Sequence, residues 1–222
     1  ISMISLPVNL TNVQVYSSIR QDMATIDGAF NSGQGVGLLK GSFEWKDAPR
    51  LQLNLKGDNL LVRQAPLITA IANPNLTLDM YPFDKRLSLK GSVDVPRARI
   101  SMPETTAPII NTSSDVRIVR QGQDPLAILR AAKPWDIRAD ISVNIGKQVI
   151  FQGFNSNIPL VGRLNLSQRG YETAMRANGA IGVSQKVKIE AYGQSLDLNR
   201  AIARFNGPLA NPTLDIDANK NV

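Results

Sequence analysis

Leu87-Ser88-Leu89-Lys90-Gly91-Ser92-Val93-Asp94-Val95 places an apolar residue or glycine at every odd position and a polar residue at every even one. In an extended strand successive side chains point to opposite faces, so the odd residues share one face and the even ones the other. A helix would scatter the same apolar residues around its circumference. The stretch therefore reads as a half-buried strand.

The pattern continues on both sides. Leu51, Leu53 and Leu55 alternate with Gln52, Asn54 and Lys56, and Leu76, Leu78 and Met80 with Thr77 and Asp79. It returns at Ile137 to Ile145, at Val149 and Phe151, at Leu164 and Leu166, at Ile181 and Val183, at Val187 and Ile189, and at Leu214 and Ile216. This spacing predicts an all-β chain of roughly ten strands or more in a long, curved, mostly antiparallel sheet. Hairpin turns are expected at Asn31 to Gly35, at Gly146-Lys147 and at Gln168 to Gly170, because glycine supplies the positive φ of tight turns. The stretch 103–134 breaks the pattern. There Asp124-Pro125 reads as an N-cap and first-turn proline, ahead of a short apolar run stopped by Pro134, so one short helix is expected in a loop insertion.

A second regularity sits on the apolar phase. Gly41, Gly57, Gly91, Gly153, Gly162, Gly179, Gly193 and Gly207 each follow an apolar residue by two positions. They remove side chains from the face that a packed core would fill. Two accounts stay open: points where the sheet bends or a neighbouring backbone comes close, and an apolar wall left unfilled as a groove.

Composition narrows the function. The 222 residues contain no histidine and no cysteine, which excludes thiol and histidine chemistry, disulfides and the usual zinc ligand sets; no metal or cofactor is expected, and no enzyme. Aromatic residues make up 5%, so the apolar content is largely aliphatic. The net charge of +7 comes from residues scattered on the solvent phase, without aromatic interleaving or a nucleic-acid-binding motif, so an anionic lipid is a better partner than a nucleic acid. Arg97 and Arg99 are the most compact basic pair. They read either as phosphate contacts at a rim or as solvated charges that deter sheet pairing. The glycines at 33, 35 and 37 lack Walker spacing and read as a turn.

Several stretches carry a family resemblance. Gly91-Ser-Val-Asp-Val-Pro96-Arg-Ala-Arg-Ile100, Ala191-Tyr-Gly-Gln194 with Asp197 and Arg200, and Phe205-Asn-Gly207-Pro208 through Asn211-Pro212 to Ile216 resemble the C-terminal domain of the TamB family. Leu39 to Trp45, Lys56 to Asn59 and Val149 to Phe154 add to the match. TamB-family proteins are inner-membrane-anchored subunits of the translocation and assembly module of Gram-negative bacteria. The resemblance implies a single β-taco domain over residues 1–222, excised from a much longer periplasmic protein, with an apolar concave face. It also implies AsmA-like phospholipid transport to the outer membrane, partnership with the outer-membrane barrel TamA through a final segment beyond Val222, and assembly of nascent outer-membrane proteins.

On this reading the groove wall consists of Leu53, Leu55, Leu78, Leu89, Val93, Ile141, Val143, Phe151, Leu164, Leu166, Ile181 and Ile189, with the eight glycines shaping it. For each of these leucines, isoleucines, valines and the phenylalanine, an ordinary core position is the alternative. Two other functions stand beside the lipid conduit: a chaperone-like scaffold that pairs nascent barrel strands at its edges, and a closed structural β spacer.

Overall fold

The structure, a computed structural model, describes residues 8–102, 134–172, 174–191 and 193–220. The short helix expected within 103–134 lies outside the described residues. The strands are β1 (Thr11–Arg20), β2 (Met23–Ser32), β3 (Gly35–Glu44), β4 (Arg50–Asp58), β5 (Leu60–Gln64), β6 (Ile68–Tyr81), β7 (Arg86–Ser101), β8 (Asp136–Gly153), β9 (Ser156–Gln168), β10 (Arg176–Val183), β11 (Val187–Ala191), β12 (Gln194–Pro208) and β13 (Thr213–Asn219).

All of them belong to one sheet, in which β1 to β4, then β6 to β10, then β12 and β13 lie side by side. β5 follows β4 along the same edge of β6, and β11 follows β10 along the same edge of β12. β1 and β13 are free edges, so the sheet is open and the closed spacer is ruled out as an architecture. Substantial contacts run between sheet neighbours, with β5 also touching β2 and β3, and β9 touching β11. Among the described residues no second layer packs on either face.

Pairing is antiparallel with one exception: β7 and β8 run parallel, from Arg86 opposite Asp136 to Ser101 opposite Gln152. A parallel pair cannot be joined by a tight turn. The chain after Ser101 has to return along a 16-residue strand, about 50 Å at the usual rise, before β8 begins. The other sheet neighbours among the described residues run antiparallel, as in a meander. Gly33 (φ +60) makes the β2–β3 turn and Gly170 (φ +62) the turn after β9, as expected.

Gly146-Lys147 is a correction. It forms no hairpin but lies within the continuous strand β8, where the register against β9 shifts between Ile145 and Val149. The shift belongs to a line that crosses the sheet. Register also slips between Ile71 and Asn73 on β6, between Val95 and Arg97 on β7, and between Leu198 and Arg200 on β12. At the same level β4 gives way to β5 at Asn59 (φ +53), and β10 gives way to β11. The Asn59 amide donates to Asn73 Oδ1 at 2.7 Å, closing the first of these breaks.

Bulges bend a strand and tighten its twist, and proline, which has no ladder donor, is tolerated at them. Pro96 sits in this line, and a Cβ on Gly146 would press on the Pro96 backbone. The line acts as a crease. Below it lies a narrow lip made of β5, β11 and the adjoining ends of β6, β7, β8, β9 and β12.

Candidate functional site

Residues directly opposite in a ladder share a face, so the register assembles the apolar phase into rows. Leu53, Leu78 and Leu89 face one another across β4, β6 and β7, with Ala139 next on β8. The adjoining row runs Leu39, Leu55, Leu76, Gly91, Ile141, Leu166, Ala177 and Gly207 from β3 to β12. The next holds Pro74, Val93, Val143, Leu164, Gly179 and Phe205. Nearest the crease come Val95, Ile145, Gly162, Ile181, Ala203 and Leu214.

The expected wall residues Leu53, Leu55, Leu78, Leu89, Val93, Ile141, Val143, Leu164, Leu166 and Ile181 therefore come together on one surface. Phe151 lies on the lip, opposite Ile100 and Ile158. Ile189 is on β11 opposite Leu196, outside these rows. Leu164 is buried and the other wall residues are half-buried.

The lip carries the same face onward and packs it more tightly. Leu60, Ala72, Ala98, Val149, Ile158 and Leu198 are all under a tenth exposed, Val149 at 2%. Sequence reading passed over Leu60, Ala72, Ala98 and Ile158: the crease shifts the alternation at Leu60 and Ala98, whereas Ala72 and Ile158 keep the phase of Pro74 and Leu164 on their own strands. The slip at Pro96 moves the apolar phase from odd to even positions, so Ala98 and Ile100 continue the wall begun by Val93 and Val95.

The glycines divide by what surrounds them. A Cβ at Gly41, Gly91, Gly162 or Gly179 would run into the carbonyl oxygen of Gln52, Asn75, Ala180 or Arg163, respectively, on the neighbouring strand. At Gly91 (φ +139) and Gly179 (φ +133) the backbone is also one that L side chains rarely adopt. Gly57 is covered by the Leu60 side chain and Pro74, and Gly153 by the Phe151 ring. Gly207 faces open space, and Gly193 (φ +72) lies in the turn between β11 and β12, away from the wall. Close backbone approach and local cover thus describe most of these positions, and unfilled space describes Gly207.

The opposite face is a polar ladder. Thr77 donates to Asn54 at 2.9 Å, Ser142 to Asn165 at 2.9 Å, and Arg163 Nε to Asn144 Oδ1 at 2.6 Å. Arg50 pairs with Asp79 at 2.8 Å, and that hydrogen bond raises the already high guanidinium pKa. The Tyr81 ring lies within 5.5 Å of the Arg50 guanidinium and 4.4 Å of that of Arg86. Among the described residues no three acidic side chains gather to hold a metal ion, and no helix is long and apolar enough to cross a membrane. What the surface offers is one broad aliphatic wall backed by a polar exterior.

An open, single-layer β-sheet with one apolar and one polar face defines the class of molecule. The chain belongs to the TamB C-terminal domain family, whose model matches residues 24–222. It is similar to the translocation and assembly module subunit TamB of Haemophilus influenzae, with 26% identity over 98% of this chain and 17% of that protein. The chain thus spans about a sixth of the length of that relative.

Proposed function

We propose that this chain is a section of a translocation and assembly module subunit whose apolar wall carries the acyl chains of phospholipids across the periplasm toward the outer membrane. One observation carries the reading: rows of mainly aliphatic residues, the longest across eight strands, stay half-buried at most positions, with no layer packed over them among the described residues. Such a surface gains about 25 cal/mol per Å² when apolar ligand area leaves water, or about 0.8 kcal/mol per methylene. Rows of similar aliphatic residues give near-uniform affinity along the sheet, so an acyl chain meets no deep well that would trap it. The chemistry is that of solvation alone, without a catalytic group.

A second reading rests on the edges. β1 is exposed along its whole length, with Val15 at 59% and Ile19 at 69%, and β13 exposes Leu214 and Ile216. Unpaired strands of this kind can add a strand from a nascent outer-membrane barrel. TamA is the barrel partner that family membership suggests.

Photocrosslinkers at Leu89 on the wall and Lys90 on the polar face test the first reading. Lipid captured from cells at Leu89 and not at Lys90 is the expected result. Equal capture at both, or none at either, removes the conduit. Capture of barrel polypeptide at Tyr16 on β1, without lipid at Leu89, favours the edge reading.

A further inference from the structure

The polar face holds a second surface of different chemistry. On the outer side of the crease, Arg63, Arg97, Arg99 and Lys147 ring a pocket of about 650 Å³. The pairing places them together: Arg63 and Arg99 both lie opposite Thr69, and Arg97 lies opposite Ile71 and Gln148. No carboxylate lines the pocket, and among the described residues none of the four cations takes part in an ion pair. Arg97 Nε donates to the neutral Gln148 Oε1 at 3.0 Å, which holds the guanidinium in place without neutralising it.

The pocket nearer the start of β7 and β8 shows the contrast. It also contains Lys90, Arg138 and Arg169, but Asp140 lines it and Arg138 is held by Asp136 at 3.0 Å. Carboxylates thus offset part of the charge at that site, whereas none lines the crease pocket. Its apolar surface comes from Ile71, Ile150 and Pro159, on the same face as the cations. Clustered guanidinium groups favour phosphate oxygens, which they meet with paired N–H donors, and apolar surface beside them favours an anion that carries hydrocarbon.

We propose that the crease pocket binds the phosphate group of an anionic phospholipid, so that this part of the polar face docks on a negatively charged membrane surface. The wall on the opposite face is not involved, and the two sites stand or fall separately.

Flotation of the chain with phosphatidylcholine vesicles, with and without phosphatidylglycerol, tests the proposal. Binding to the anionic vesicles alone is expected, and Arg97→Gln with Arg99→Gln should weaken it by roughly tenfold or more. The charge-matched control Arg200→Gln with Arg204→Gln should stay within about twofold, because those arginines are paired with Asp215 away from the pocket. Arg63→Gln with Lys147→Gln repeats the test without touching the Arg97–Gln148 hydrogen bond, and circular dichroism confirms that each variant is folded. Absence of binding to anionic vesicles, or equal weakening by the pocket and control pairs, overturns the proposal. Inorganic pyrophosphate that binds in an Arg97- and Arg99-dependent way, without any vesicle binding, assigns the pocket to free phosphate and overturns the membrane surface.

Discussion

Ile141 and Val149 lie on the same strand and the same face, yet Ile141 is half-buried and Val149 is 2% exposed. The crease passes between them. Above it the wall is broad, its larger side chains stand beside glycines, and among the described residues nothing packs on it. Below it the strands are short, Leu60, Ala72 and Ala98 are buried, and Leu60 reaches back across the crease to cover Gly57 on β4. One apolar pattern thus yields two environments. The lip holds the sheet together as a core does, while the wall keeps its apolar area available.

Charging one residue in each region is the severest way to break that comparison. Val149→Asp places a carboxylate where no partner is present, a burial that costs on the order of 3 kcal/mol or more and abolishes cooperative unfolding or shifts it far down in urea. Ile141→Asp leaves its carboxylate reachable by water and should change stability by about 1 kcal/mol or less, while lipid capture at Leu89 is lost. If Ile141→Asp unfolds the chain as Val149→Asp does, the wall is a core and the conduit fails with it.

Truncation sharpens the same contrast on a smaller scale. Leu60→Ala removes a buried side chain and should cost about 2–5 kcal/mol, in the range of core truncations. Leu78→Ala, on the half-buried wall, should cost about 1 kcal/mol, read from the urea midpoint at unchanged slope. Equal losses would show that wall and lip pack alike.

Much of the wall was legible in the sequence, because period-two alternation holds wherever the strands run straight. Leu53, Leu78 and Leu89 were placed on one face by that pattern, and the register sets them directly opposite one another. The lip was less legible, for a physical reason: a bulge shifts the phase, so Ala98 looked out of step, and Gly146 beside Pro96 carried a turn signal inside a strand. Local pattern also said nothing of the parallel β7–β8 pair, since alternation within a strand carries no information on the direction of its neighbour. β1 was missed because Tyr16 interrupts the alternation of Val13, Val15 and Ile19 and its edge position asks little of it. The basic pocket was half legible: Arg97 and Arg99 are neighbours in sequence, but Arg63 and Lys147 join them only through the register.

The glycines give the finest test of what separates the regions. Gly91→Ala puts a methyl group against the Asn75 carbonyl in a backbone conformation with φ +139, and should cost roughly 1–3 kcal/mol through strain and loss of the close β6–β7 approach. Gly193→Ala meets no atom within 4 Å, so only its positive φ opposes it, and the cost should fall to about 1 kcal/mol. The ordering matters more than either value. If Gly91→Ala is the milder change, the upper sheet yields to an added side chain, and its curvature does not depend on bare backbone. If it is the harsher one, the wall keeps its shape because its strands touch where glycine lets them, whereas Gly57 beside the crease and Gly153 on the lip leave room for Leu60 and Phe151. Glycine then serves two ends, close contact between strands on the wall and room for a covering side chain at the crease and the lip.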